Sequence, residues 1–156
     1  IHGIQSITLL NEYMWDIAQN EPDIILVGSQ SGTEPFSFNH LSQFPIYQND
    51  FLLGTQPDYV LLCINPHDTI EYIIRSIKYI EGLIDTHIIA LVMYPIIQDV
   101  SDIGNRFQKR KLNNNEVSNI IKEIQSEIDI NIYLLSDESH MKKLFEQIIQ
   151  TFSGSD

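Results

Sequence analysis

Apolar positions along this chain alternate between two rhythms, one of helical period and one of short continuous runs. Over residues 6–19, Leu9, Leu10, Tyr13, Met14 and Ile17 recur at helical spacing, and Pro22-Asp23 then stops the helix. The run Ile24-Ile25-Leu26-Val27 that follows predicts a buried strand. Pro57-Asp58 repeats this arrangement ahead of a second run, Tyr59 to Ile64, a local echo too short to be a repeat. Asp68-Thr69-Ile70-Glu71 predicts a capping box, the Asp68 carboxylate accepting from the first turn while Glu71 reaches back. The helix it opens carries Ile70, Ile73, Ile74, Ile77, Ile80 and Leu83 on one face. A third run spans His87 to Met93 and is broken by Pro95. A helix over 115–128 follows, with Val117, Ile120, Ile121, Ile124 and Ile128 on one stripe, then a short strand over 130–135. The last helix is predicted over 137–152, with Met141, Leu144, Phe145, Ile148, Ile149 and Phe152 facing inward.

Continuous apolar strands separated by amphipathic helices predict an α/β fold, a mainly parallel sheet with helices on both faces. Right-handed crossovers would then gather the strand-to-helix loops on one edge of the sheet, where ligands of such folds sit. That edge comprises Gly28 to Pro35, Asn65 to Asp68, Tyr94 to Asp99 and Ser136 to Ser139.

At 156 residues the chain predicts one domain spanning 1–156, and 43% hydrophobic against 19% charged residues predicts a packed core. The net charge of −12, with no Lys or Arg before Arg75, opposes binding to phosphate backbones and anionic lipid, so neither nucleic acid nor a membrane surface is an expected partner. The basic run Arg106-Phe107-Gln108-Lys109-Arg110-Lys111 reads as a solvated loop. Cys63 is the lone cysteine, excludes an internal disulfide, and within its apolar run reads as a buried, inert thiol. A reducing, cytoplasmic setting fits it. No apolar stretch reaches the ~20 residues that span a bilayer, and the start at Ile1 reads as a piece of a longer polypeptide.

Candidate chemistry lies on the predicted loop edge. Gly28-Ser29-Gln30-Ser31-Gly32-Thr33-Glu34-Pro35 places small residues and hydroxyls directly after a strand, where successive amides can cradle an anion; the same composition also suits a connecting loop. It is not a P-loop, because it holds no Lys, and Gln30 stands at the centre where a nucleophile elbow needs Ser. Asn65-Pro66-His67-Asp68 reads as a turn and helix cap that also offers a polar contact and an imidazole. His2, His40, His87 and His140 show no metal-ligand spacing with one another or with Cys63, so no metal is predicted. Glu34, Asp68, Asp99 and Asp102 are the acids that such an edge would gather. Phe36, Phe38, Phe44, Tyr47 and Phe51, interrupted by Pro35 and Pro45, read first as an irregular packed excursion covering the sheet, with a lid or a partner contact surface as the alternative.

Two stretches carry a family resemblance: Asp23-Ile24-Ile25-Leu26-Val27-Gly28-Ser29-Gln30-Ser31-Gly32, and Leu52-Leu53-Gly54-Thr55-Gln56-Pro57-Asp58-Tyr59-Val60-Leu61-Leu62-Cys63. Together they resemble the back half of the dethiobiotin-synthetase-like P-loop NTPases. The similarity is greatest to an NTPase-like subgroup with a Glu-Gly-Gln-Gly loop and a Gly-Ser-Gln-Pro-Asp segment, the latter nearly repeated as Gly54-Thr55-Gln56-Pro57-Asp58. A fainter similarity is to proteins encoded beside peptide-maturation enzymes. The resemblance covers residues 22–152 and implies a P-loop-NTPase-like, Rossmann-like three-layer sandwich lacking its first strand and phosphate loop, which would lie upstream of Ile1. The family's loop acid falls on Gly28 and the Gly-Lys-Ser/Thr loop is missing, so phosphoryl transfer lacks its electrostatic support and nucleotide with Mg²⁺ requires upstream residues.

Three readings follow. The first is a degenerate nucleotide-binding-like domain without catalysis of its own, acting as a binding or assembly component, with an uncovered sheet edge where an upstream strand belongs. The second is a flavodoxin-like small-molecule or enzyme domain, its pocket lined by Ser29, Gln30, Ser31, Gly32, Asn65 and His67. The third is a module that pairs with a protein partner, or as a homodimer, through residues 36–51.

Overall fold

A computed structural model describes residues 4–28, 44–100 and 107–154. Among these the chain is mixed α/β and forms two compact units, taken here in turn.

The first unit, drawn from residues 1–60 and 74–87, is built on two helices, α1 (Ile4–Ala18) and α2 (Phe44–Thr55). Ile7, Leu10, Met14 and Ile17 form the half-buried face of α1, while Leu9 and Tyr13, two of the positions expected in its apolar stripe, are exposed. Helix α2 corrects the reading of an irregular aromatic excursion. Pro45 stands in its first turn, where the missing N–H has no intrahelical partner to lose. Near its other end Gly54 is buried against α1: a Cβ there would lie 2.4 Å from the Leu10 Cβ. The two helices approach closely because this side chain is absent.

Both helices stop in the same way. Glu21 (φ 52°) after α1 and Gln56 (φ 47°) after α2 adopt the left-handed conformation immediately before a Pro-Asp pair. The Gln56 N–H donates to Leu52 O at 2.9 Å and its side-chain amide to Leu53 O at 2.9 Å, while the Thr55 hydroxyl donates to Phe51 O. The segment Gly54-Thr55-Gln56-Pro57-Asp58 therefore has a local structural role as a helix stop and strand start. After the first stop the outcome differs. Ile24–Val27, predicted as a buried strand, joins no ladder among the described residues, and Ile24, Leu26 and Val27 are exposed. An apolar run becomes a buried strand only when a neighbour takes its backbone groups, which local pattern does not supply.

The second unit, from residues 61–73 and 88–156, holds the sheet. Strands β1 (Tyr59–Ile64) and β2 (His87–Met93) follow the predicted bounds; α3 (Ile70–Leu83) comes between them in the chain, and its residues from Ile74 on belong to the first unit. Beyond β2 come a hairpin of β3 (Ile96–Val100) and β4 (Phe107–Lys111), then α4 (Asn114–Glu127), β5 (Asn131–Leu134) and α5 (Glu138–Ser153). The parallel sheet has the order β1-β2-β5, with Val92 beside Tyr133 and Leu91 beside Ile132. The central strand is buried on both faces from Ala90 to Met93, as its unbroken apolar run predicts. On one face Ala90, Val92 and Tyr133 pack with Leu144 and Ile148 of α5.

Three further expectations change here. The hairpin replaces both the loop expected over Tyr94–Asp99 and the basic loop, with Ile97 opposite Arg110 and Gln98 opposite Lys109. Lys109, Arg110 and Lys111 remain exposed, so the solvated character holds while the backbone is a strand. On α5, Phe145 and Ile149 are 58% exposed rather than inward, because a helix above a three-stranded sheet buries a stripe no wider than Leu144 and Ile148 with their flanks.

Candidate functional site

Parallel strands end on a common edge, so the turns after β1, β2 and β5 are neighbours within the second unit. After β1, the Asn65 N–H donates to Asp68 Oδ2 at 2.8 Å and the Asp68 N–H returns to Asn65 O at 3.0 Å, closing a tight turn. The cap of α3 is Thr69, whose hydroxyl accepts from the Tyr72 N–H at 3.1 Å. This corrects the expected Asp68 cap: the carboxylate faces back along the chain and the next residue takes the helix. Burial pushes the Asp68 carboxyl above its usual range, against the opposing pull of the Asn65 amide and His67. Asn65 and His67 expose their side chains on this edge.

After β5, Asp137 Oδ1 accepts from the Ser139 and His140 N–H groups at 2.9 and 3.2 Å and so caps α5. These bonds hold its carboxyl below the usual range, the His140 amide contributing most. His140 was not singled out from the sequence as a site residue. Its Nδ1 accepts from the Leu134 N–H at 3.1 Å, which places the ring proton of the neutral form on Nε2, 4.0 Å from Asp137 Oδ2. The spacing Asp137-x-x-His140 at a helix start is the signal that could have revealed it. The ring stands edge-on to Tyr133, and the Tyr133 hydroxyl donates to Gln147, whose amide reaches Ile89 O at 2.8 Å.

Cys63, expected to be buried, is exposed on β1, which stands at the side of the sheet among the described strands. Partial burial of the sulfur nevertheless pushes its thiol up, which leaves little thiolate at neutral pH and makes it a poor nucleophile. Tyr94 after β2 and Leu135 after β5 are exposed as well.

The edge thus brings together Asn65, His67, Asp68, Tyr94, Asp137 and His140. Ser29, Gln30, Ser31, Gly32, Glu34 and Asp102 lie outside the described residues, as do Phe36 and Phe38. Gly28 is described, and a Cβ there would meet nothing within 4 Å. His87 opens β2 and so lies at the opposite end of that strand. Among the described residues no three His, Cys, Asp or Glu side chains stand where they could hold a metal ion, and no helix is long and apolar enough to cross a membrane. Beyond the strand ends, Arg110 grips Glu116 through two bonds of 3.0 and 3.1 Å, and Glu116 forms a capping box with Asn113 at the start of α4. Asn113-x-x-Glu116 carried that box in the sequence. Comparison with protein-family models, with curated proteins and with solved structures finds no match to this chain.

Proposed function

We propose that this chain is a binding or assembly component, a degenerate nucleotide-binding-like domain that carries out no turnover by itself. The observation that carries this reading is the condition of the strand-end edge. One carboxylate oxygen of Asp68, one of Asp137 and the Nδ1 of His140 accept from backbone amides, the Cys63 thiol is pushed up by burial, and Tyr94 and Leu135 present apolar surface outward. General acid–base and nucleophilic chemistry need groups whose lone pairs or protons are available to a substrate. Surface recognition needs exposed aromatic and aliphatic groups.

The resemblance to the dethiobiotin-synthetase-like NTPases supports reading the parallel sheet as part of a P-loop-NTPase-like, Rossmann-like sandwich, with an assembly role in peptide maturation. The absent Lys and the Gly28 substitution argue against phosphoryl transfer by these residues. A second reading, a flavodoxin-like small-molecule site, draws on the exposure of Asn65 and His67 at the carboxyl ends of parallel strands.

Thermal melting with ATP or GTP and Mg²⁺ separates the two, since a ligand of the native state raises its melting temperature. The expected outcome is no shift for this chain and no phosphate release. A shift in this chain alone would overturn the reading in favour of an autonomous pocket.

A further inference from the structure

At its carboxyl end, the side of β5 away from β2 is closed by a side chain. The Leu135 N–H donates to Met93 O at 3.0 Å and so faces β2. Backbone donors alternate in direction along a strand, so the Leu134 N–H faces the other way. Among the described residues no strand lies on that side, β5 standing at the end of the order β1-β2-β5. His140 takes the Leu134 amide instead, its Nδ1 accepting at 3.1 Å. A ring nitrogen accepts only while it carries no proton, and in the imidazolium both nitrogens are donors. Protonation therefore sets Nδ1–H against the Leu134 N–H. Asp137 Oδ2, 4.0 Å from Nε2, offers the cation an opposite charge, while Oδ1 of the same carboxylate stays on the Ser139 and His140 amides.

We propose that His140 is a proton-operated latch on the turn that joins β5 to α5. The neutral ring holds the Leu134 amide; the protonated ring releases it and turns toward Asp137. The turn so freed carries the exposed Leu135 and belongs to the strand-end edge, so acidification changes the surface that this edge presents. Helix α5 keeps its cap in both states, because Asp137 Oδ1 serves it in either. The remaining groups around the ring leave this exchange between Leu134 and Asp137 in control. Tyr133 of β5 stands edge-on to the ring with its hydroxyl donating to Gln147. Ala90 and Val92 of β2, which pack with α5, are apolar. Lys143 lies one helical turn further along α5 and is exposed, where solvent and salt screen it. His67 and Asp68 follow β1, two strands away in the sheet order.

Heteronuclear NMR of the chain from about pH 8 to about pH 5 tests this. The His140 ring resonances report protonation, and the shift and exchange protection of the Leu134 amide report the bond. The expected result is one midpoint shared by ring and amide, with Leu134 protection falling about tenfold across it. Leu135, held by Met93 O, should keep its own protection. His140→Asn places a side-chain oxygen that accepts at every pH where Nδ1 stood, and should leave Leu134 protected throughout. A purely structural imidazole would give no such loss of pH dependence. His140→Ala should leave Leu134 unprotected at both ends of the range, with helical circular dichroism unchanged. A ring that takes up no proton in this range, a Leu134 amide indifferent to the ring, protection lost from Leu134 and Leu135 alike, or a Leu134 transition that persists in His140→Asn would each overturn the proposal. The wild-type titration decides alone if a variant does not fold, and none of these readouts involves nucleotide, so the assembly reading is tested separately by the melting experiment.

Discussion

At Gly54 the absence of a side chain decides how two helices meet. Alanine there would improve helix propensity by about 1 kcal/mol, but its Cβ would fall 2.4 Å from the Leu10 Cβ. Cutting Leu10 back to Ala leaves that atom in place, so the clash is relieved only by moving the helices apart. Gly54→Ala is therefore expected to lose about 1–3 kcal/mol net, read as a lower urea midpoint, and Leu10→Ala should not rescue it. Thr86 works in the other direction. Its side chain is buried and its hydroxyl finds no hydrogen-bond partner among the described residues. Thr86→Val removes that desolvated group while keeping the branched shape, and should raise stability by about 1 kcal/mol in the same assay. His140→Ala should cost about 1–3 kcal/mol, because the half-buried Leu134 N–H is left without its acceptor.

Among the elements, the helix starts respond to pH with opposite signs. The Arg110 guanidinium and the Asn113 amide hold Glu116 below its usual range, and the amides of His140 and Ser139 do the same for Asp137. A lowered folded pKa gives stability that is complete above the ordinary carboxylate range and is lost as pH falls through the lowered value. Asp68 is raised, so its ionised form costs stability at neutral pH and that cost disappears as the group protonates on acidification. Melting from neutral into acid pH should show a falling wild-type curve whose acid slope is reduced in Glu116→Gln and in Asp137→Asn, both of which melt lower at neutral pH. Asp68→Asn, which keeps an acceptor for the Asn65 amide, should melt no lower than wild type at neutral pH. The same elements show why exposure departs from pattern. Phe145 and Ile149 share α5 with Leu144 and Ile148, yet the second pair alone lies in the cluster with Val92 and Tyr133.

For the whole molecule, a charge of −12 is a repulsion spread over the surface and opposes compaction. Raising monovalent salt to ~0.1 M, where the screening length is ~10 Å, should raise the melting temperature, and a fall would mean that the Arg110–Glu116 pair outweighs the general repulsion. Local chemistry was enough to specify the bounds of β1 and β2, the positions of α3 and α5, the helix-stopping role of the Pro-Asp pairs and the buried centre of the sheet, because each depends on residues within a few positions of one another. It also placed Asn65, His67 and Asp68 on the strand-end edge. Tertiary structure decided the rest. Ile24–Val27 and Tyr59–Ile64 follow nearly the same sequence preamble, yet among the described residues only the second joins a ladder, and Cys63 on that strand is exposed. The basic run became β4 because Ile96–Val100 paired with it, and His140 gained its role because the Leu134 amide points at its ring. Backbone pairing and side-chain burial depend on distant partners, and the periodicity of a segment encodes its readiness for them without naming which will arrive.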